Sequence, residues 1–102
     1  MYIEFKTRRL EKCYRERRKR EAAWGETVAR KYVQAVNLLK AVTHPSHLGA
    51  FPQFDYEPLT GGRKGQHSVK LGHRERLIFT VRKSKDALIA RMEEVSTTHY
   101  DH

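Results

Sequence analysis

The residues best suited to chemistry are an Arg63-Lys64 pair between glycines and Arg76, which begins an apolar run further along the chain. Glycines beside the pair allow a ligand to approach the backbone closely. Lysine and arginine side chains that converge bind phosphate and can stabilise the charge that develops on its oxygens during transfer. We expect these three side chains to converge on one face, although a solvated turn and strand would show the same pattern.

The segment THYDH at residues 98–102 supplies groups that basic residues cannot: imidazole, phenol and carboxylate. When RNA is cleaved by its own 2′-hydroxyl, a base takes the hydroxyl proton, an acid protonates the leaving 5′ oxygen, and cations stabilise the phosphorane. No metal is needed. The candidates for proton transfer are His99, Tyr100 and His102. A frayed terminus is the alternative.

Other kinds of site lack support in the sequence. The His-x-x-His pairs at residues 44–47 and 99–102 offer at most two ligands each, without cysteines or carboxylates at the usual spacing. We therefore predict no metal and no other cofactor. There is no P-loop, dinucleotide fingerprint or serine-nucleophile elbow. The single cysteine, Cys13, is expected to fill packing space.

Positive charge is abundant and lies in two zones. The 102 residues include 21 Lys and Arg against 12 Asp and Glu, a formal net charge of +9. Residues 6–31 carry eleven basic and four acidic residues, and residues 60–91 carry nine and two, so each zone is +7. A polyanionic partner is expected. The length suits a single domain over residues 1–102, and no apolar run predicts a membrane span or signal peptide, so we expect a cytoplasmic protein.

Hydrophobic periodicity predicts the elements that position these residues. Alternation predicts a strand at residues 2–5, and Thr7 is a plausible cap for a helix that runs to about Arg20. Gly25 marks a break before a second helix that reaches Val42. The period then changes to two, which predicts four strands, at residues 54–57, 67–71, 76–82 and 87–95.

The predicted fold class is therefore α+β, with two N-terminal helices packed on a mostly antiparallel twisted sheet in the order β-α-α-β-β-β-β. Alternation within RLIFTVR, residues 76–82, assigns the two faces of one strand. It directs Leu77, Phe79 and Val81 to the core. It directs to the opposite face Arg76, Ile78, Thr80 and Arg82.

Four segments, in their order and spacing, resemble the RelE/ParE superfamily of type II toxin-antitoxin toxins: FKTRRLEKCY, ARKYVQAVNLLKAV, FDYEPLTGGRKGQHSVKL and RLIFTV. The most specific part is PL-x-G-x-RKG at residues 58–65, followed by RLIF. Within the superfamily the chain resembles the HigB-like, or killer protein, branch. The resemblance covers nearly the whole chain and implies a RelE-like fold. It also implies a ribosome-dependent endoribonuclease, which cuts mRNA without a metal and leaves a 2′,3′-cyclic phosphate and a 5′-hydroxyl.

The resemblance further implies site residues. By position, Lys64 and Arg76 match the family residues that bind and stabilise the scissile phosphate. The RNA-binding set comprises Arg63, Lys70, Arg74 and Arg82. HigB-like toxins end in an Asp-Tyr-His run, whereas this chain has HYDH at residues 99–102, and a gapless alignment would place residues 94–96 there instead. The general base thus stays open among the tail residues, with His99, Tyr100 and His102 as catalytic candidates.

The helical basic zone is expected to dock on ribosomal RNA through phosphate contacts, which give affinity without reading sequence. The residues of this zone that are expected to make these contacts are Arg8, Arg9, Lys12, Arg15, Arg18 and Lys19. The resemblance implies a cognate antitoxin, HigA-like and with a helix-turn-helix domain, that could use the same helices. Two alternatives share the fold: a ParE-like toxin that inhibits DNA gyrase, and a non-catalytic RNA-binding member.

Overall fold

A computed structural model of the chain describes residues 1–97, with helices packed on one face of a five-stranded sheet. The elements are β1 (Tyr2–Phe5), α1 (Arg8–Arg15), α2 (Arg17–Ala41), β2 (Glu57–Pro58), β3 (Gln66–Lys70), β4 (Arg76–Ser84) and β5 (Ala87–Ser96). The predicted α+β class and element order are confirmed. The tail candidates His99, Tyr100 and His102 lie outside the described residues.

The strand order across the sheet is β1-β5-β4-β3-β2. β1 runs parallel to β5, and the other neighbouring strands are antiparallel. The strand nearest the start of the chain therefore pairs with the last one, and β5 is enclosed between β1 and β4. This pairing joins the two ends of the described chain in one sheet.

The first helix is shorter than predicted. Its start is as expected, since Thr7 Oγ1 accepts a hydrogen bond of 3.1 Å from the backbone nitrogen of Leu10. However, α1 ends at Arg15, because Glu16 is extended at φ −123° and ψ 114°. Nη1 of Arg20 then donates to the carbonyl oxygens of Cys13 and Tyr14, at 3.2 and 3.1 Å. These bonds satisfy carbonyls that the helix end leaves without partners.

The predicted break at Gly25 is confirmed, because its φ of 80° and ψ of 166° interrupt the helical geometry inside α2. A positive φ costs glycine little and other residues more. Beyond it α2 continues to Ala41 and packs on α1, where the buried Tyr32 hydroxyl donates to the carbonyl of Leu10 at 2.8 Å. Within residues 1–97 no helix is both long enough and apolar enough to cross a membrane.

The core lies between the helices and one face of the sheet. The helices contribute Leu10, Tyr32, Val36 and Leu39, and the sheet contributes Val69, Leu77, Phe79 and Met92. Cys13 is also buried there, and this burial raises the pKa of its thiol, which fits a packing role. Removal of these side chains from water is the main source of stability for such a layer.

The segment predicted as a strand at residues 54–57 is mostly something else. Pro52–Phe54 forms a short 3-10 helix, and Asp55 follows in the left-handed region at φ 41° and ψ 58°. Phe54 is buried in the core, so the chain turns around it, and only Glu57–Pro58 pairs with β3. The strand prediction was wrong here because burial of Phe54 outweighs the local alternation.

The two faces of β4 follow the predicted alternation, with one difference. Leu77 and Phe79 lie in the core as expected, but Ile78, on the opposite face, is also completely buried. Ile78 pairs with Glu94 and Phe79 pairs with Met92, which leaves Glu93 as an extra residue in β5. This β-bulge locally increases the twist of the strand. The helix-free face is therefore polar with a buried apolar centre.

Candidate active site

The helix-free face of the sheet carries a row of side chains around the buried Ile78. Glu57 pairs with Ser68, Ser68 pairs with Ile78, and Ile78 pairs with Glu94. Directly opposed residues of neighbouring strands present their side chains to the same face. Two carboxylates therefore belong to one row, with a buried hydroxyl and an apolar residue between them.

Arg76 begins the adjacent row, in register with Lys70 on β3 and Ser96 on β5. Its Nε donates to Ser68 Oγ at 2.6 Å. Its Nη1 donates to Asp55 Oδ2 at 3.1 Å, and its Nη2 donates to the Asp55 carbonyl oxygen at 2.5 Å. Only 18% of the Arg76 side chain is exposed. The guanidinium group is therefore fixed in position and direction.

Asp55 reaches Arg76 because the residues on both sides of it are anchored. Phe54 is buried in the core, and Lys31 Nζ lies 5.5 Å from the centre of its ring. The Tyr56 hydroxyl shares a hydrogen bond of 2.8 Å with Nδ1 of His67, and the two rings are stacked. Burial lowers the pKa of His67 below its ordinary value. The turn that presents Asp55 is thus held from two sides.

Arg63 links the glycine turn to β5. It ends the 3-10 helix Gly61–Arg63, and its Nη1 donates to Gln66 Oε1 at 2.9 Å and lies 3.6 Å from Glu94 Oε1. The turn then passes through Gly65 at φ 94°, a conformation that glycine adopts at little cost. Arg63 therefore contacts the row that contains Glu94.

Lys64 follows Arg63 and is exposed, and its ammonium group makes no hydrogen bond or ion pair with any residue in the range 1–97. A lysine in this setting can move to meet an anion. Its convergence with Arg76 on one phosphate stays a prediction.

The other predicted RNA-binding residues separate into two groups. Lys70 lies opposite Arg76 in the register, and Arg74 is exposed in the turn that precedes β4. Arg82, by contrast, lies roughly 20 Å further along β4. Its Nη1 and Nη2 donate to the two carboxylate oxygens of Glu4 at 2.9 and 2.6 Å. The structure therefore groups Lys70 with Arg76 and engages Arg82 elsewhere.

A second cationic surface lies between α1 and the first part of α2. There an open groove of about 500 Å³ has a floor of Cys13, Ala22 and Ala23 and a cationic rim of Arg8, Arg9, Lys12 and Lys19. We call this surface the helical groove. None of its four cations forms an ion pair with a described side chain, whereas Arg15 pairs with Glu11 at 3.2 Å. Arg18 is exposed on α2 but does not line the groove. The groove thus unites four of the six predicted docking residues.

The structure shows no candidate metal site among residues 1–97. Among these residues, no three histidine, cysteine or acidic side chains are grouped so that they could hold a metal ion.

The arrangement of strands and helices matches solved structures of bacterial toxins. The YoeB/ParE toxin from Agrobacterium tumefaciens superposes with a TM-score of 0.58 at 19% identity, over 98% of this chain and 100% of that one. The YoeB-YefM complex from Staphylococcus aureus gives 0.55 at 20% identity, over 98% of both chains. The chain has the RelE/ParE toxin fold. No protein-family model matches the sequence, and no curated protein matches it significantly. The HigB-like branch stays a prediction.

Three residues of the candidate site were missed in the sequence, namely Asp55, Glu57 and Ser68, whereas Glu94 lies in the segment 94–96 to which the gapless alignment pointed. For Ser68 a signal existed, because alternation within QHSVK, residues 66–70, places it on the same face as Lys70. Strict alternation would instead place Glu94 on the core face with Met92, and only the β-bulge at Glu93 turns it to the opposite face. Asp55 had no such signal, since its position depends on a left-handed turn inside a segment that reads as a strand.

Proposed function

We propose that the chain is the toxin of a type II toxin-antitoxin system and an endoribonuclease that cuts mRNA on the cytoplasmic ribosome without a metal. The observation that carries this proposal is the fixed Arg76 guanidinium, which lies on a polar sheet face next to a row with two carboxylates. The shared fold supports the proposal, because a solved structure with this fold is named a YoeB/ParE toxin.

The proposed reaction is attack of a ribose 2′-oxygen on the adjacent phosphorus. The bond from the 2′-oxygen to phosphorus forms as the bond from phosphorus to the 5′-oxygen breaks, which gives a 2′,3′-cyclic phosphate and a 5′-hydroxyl. Arg76 and Lys64 bind the non-bridging oxygens, whose negative charge grows in the transition state. A base accepts the 2′-hydroxyl proton, and an acid donates a proton to the departing 5′-oxygen.

Glu57 is our proposed base. The Arg76 guanidinium extends across β3 to Asp55, two residues before Glu57, so a phosphate on Arg76 would lie at the corner of the sheet that holds Glu57. Glu94, whose carboxylate lies 3.6 Å from Nη1 of Arg63, is a second candidate. The acid is proposed to come from the tail, where His99, Tyr100 and His102 are the candidates.

The proposed partners are ribosomal RNA and an antitoxin. We propose that the helical groove docks on ribosomal RNA, because cations without protein partners can exchange their counterions for phosphates. We also propose a cognate antitoxin, HigA-like and with a helix-turn-helix domain. One solved structure with this fold is a YoeB-YefM complex, which supports a protein partner.

The test is inducible expression of the chain, followed by mapping of transcript 5′ ends with and without an inhibitor of translation initiation. We expect new 5′ ends inside codons only when translation proceeds, and their loss in Arg76→Ala. Lys83→Ala is the matched control, because it removes one positive charge from an exposed position at the far end of β4. A gyrase supercoiling assay runs in parallel. Inhibited supercoiling without new 5′ ends would favour the ParE-like alternative, and RNA binding without cleavage would favour the non-catalytic one.

A further inference from the structure

We propose that Asp55 is an internal competitor for the anion that binds Arg76, and that it thereby sets how strongly the site holds a phosphate. The proposal rests on the proposed function only for the identity of that anion, an RNA phosphodiester. The competition itself is a property of three contacts within the chain. It makes Asp55 a specificity-determining residue.

The argument begins with the geometry of the guanidinium group. Arginine grips a phosphate or carboxylate with two parallel hydrogen bonds, either from Nη1 and Nη2 or from Nε and Nη2. Asp55 occupies the first pair, through its carboxylate oxygen at 3.1 Å and its carbonyl oxygen at 2.5 Å. Ser68 occupies Nε at 2.6 Å. All three nitrogens of Arg76 are therefore bonded, and Nη1 becomes available to a phosphate oxygen only when the Asp55 carboxylate withdraws.

Asp55 is the partner that can withdraw. Ser68 is completely buried, so its hydroxyl cannot replace its hydrogen bond to Arg76 with one to solvent. The Asp55 side chain is 56% exposed, against 18% for Arg76, so its carboxylate can rotate into water, where it is well solvated. The backbone of Asp55 stays in place, because Phe54 is buried and Tyr56 is bonded to His67. Rotation of the side chain therefore opens Nη1 to a phosphate oxygen and removes a neighbouring negative charge, while the Asp55 carbonyl oxygen keeps Nη2 and the backbone stays in place.

This arrangement favours substrates that bring several contacts at once. An isolated phosphate or a stray RNA segment must displace the Asp55 carboxylate with the interactions of one phosphate alone. An RNA that is already held elsewhere on the protein or on the ribosome arrives at a high effective concentration and displaces the carboxylate readily. The cost of displacing the carboxylate is the same for both ligands, so Asp55 lowers the occupancy by weakly held ligands most, while an RNA at high effective concentration still fills the site.

The test measures the affinity for a short 2′-O-methyl RNA oligonucleotide, which lacks the attacking hydroxyl and cannot be cut. Asp55→Asn removes the charge and keeps a side chain that tolerates the left-handed backbone at φ 41°. Asp86→Asn is the matched control: it changes the net charge equally, at an exposed turn between β4 and β5. Asp55→Gly, which also suits a positive φ, is the second variant if Asp55→Asn does not fold.

By fluorescence anisotropy we expect Asp55→Asn to bind about three- to fivefold more tightly than the wild type, the range set by one exposed ion pair, and Asp86→Asn to bind like the wild type. Adding Arg76→Ala should abolish the gain. If Asp55→Asn binds no more tightly than Asp86→Asn, the competitor role is wrong. The gain without any mRNA cleavage would refute the proposed function alone, and cleavage without the gain would refute the competitor alone.

Discussion

The two cationic regions differ in how their charges are held. On the sheet face, Arg76 makes three hydrogen bonds within the chain and Arg63 contacts both Gln66 and Glu94. In the helical groove, none of the four rim cations forms an ion pair with another residue in the range 1–97. Fixed cations can position a single phosphate, whereas unpaired cations on flexible side chains give affinity along a backbone. Two zones of equal formal charge thus differ in how far their cations are fixed by contacts within residues 1–97.

The largest expected effect concerns the fixed region. Replacement of Arg76 by Ala should slow mRNA cleavage on purified ribosomes by about 10²- to 10³-fold, as for the loss of one preorganised charge-stabilising group. Arg76→Lys should recover little, because lysine keeps the charge but loses the two-bond fork. The control is Lys83→Ala. Near-normal cleavage by Arg76→Lys would show that charge alone matters and would erase the contrast between the two regions.

The second effect concerns the helical groove. Simultaneous change of its four rim cations to Gln should weaken ribosome binding by about tenfold or more and reduce the slope of log affinity against log salt by about 3. Changing Arg15 and Arg17 to Gln is the control, because both side chains pair with glutamates one helical turn away. Filter binding over a salt series measures the slope. An unchanged slope in the groove variant would mean that ribosomal RNA binds elsewhere.

The third effect is on stability and concerns the hydrogen bonds at the end of α1. Arg20→Ala removes the two hydrogen bonds that cap the end of α1, so the free energy of unfolding should fall by about 1–2 kcal/mol. Arg18→Ala, at an exposed position, should change it by less than about 0.5 kcal/mol. Urea denaturation compares the two. Equal stability of both variants would show that the hydrogen bonds of Arg20 to the end of α1 do not stabilise the fold.

The smallest effect depends on pH and is expected in the sheet region. Burial, and next the nearby His44, lower the pKa of His67 below its ordinary value of 6.5, so the unfolded chain binds a proton more readily than the folded one. The stability that neutral His67 provides is therefore present above pH 6.5 and declines as the pH falls below it. His67→Gln should flatten this decline in urea titrations, while His73→Gln, at an exposed turn, should not.

Much of the fold is encoded in local patterns. The alternation of β4, the helical period after Gly25 and the cap at Thr7 all depend on near neighbours, and each was predictable. The end of α1 was not, because the extended residue Glu16 is accompanied by a contact from Arg20 that forms only after the chain turns. The strand predicted around Phe54 failed for the same reason, since a core contact decides that segment.

The candidate site likewise has a part that the sequence predicts and a part that it does not. Arg63, Lys64 and Arg76 stand out in the sequence through residue type and glycine spacing. The groups that hold Arg76 do not, because Ser68 becomes its partner only through the register of β3 and β4, and Asp55 only through a left-handed turn. The sequence thus reveals the cations of the candidate site more readily than the hydrogen-bond acceptors that orient them.

The position of β5 has a consequence for synthesis of the chain. β5 pairs with both β1 and β4, and it carries Glu94. In this sheet β1 pairs only with β5, so β1 has no partner strand until residues 87–96 have left the exit tunnel. Pairings between such distant segments form late, because a long loop must close first. The sheet face that carries the candidate site is therefore completed only once residues 87–96 can pair with both β1 and β4.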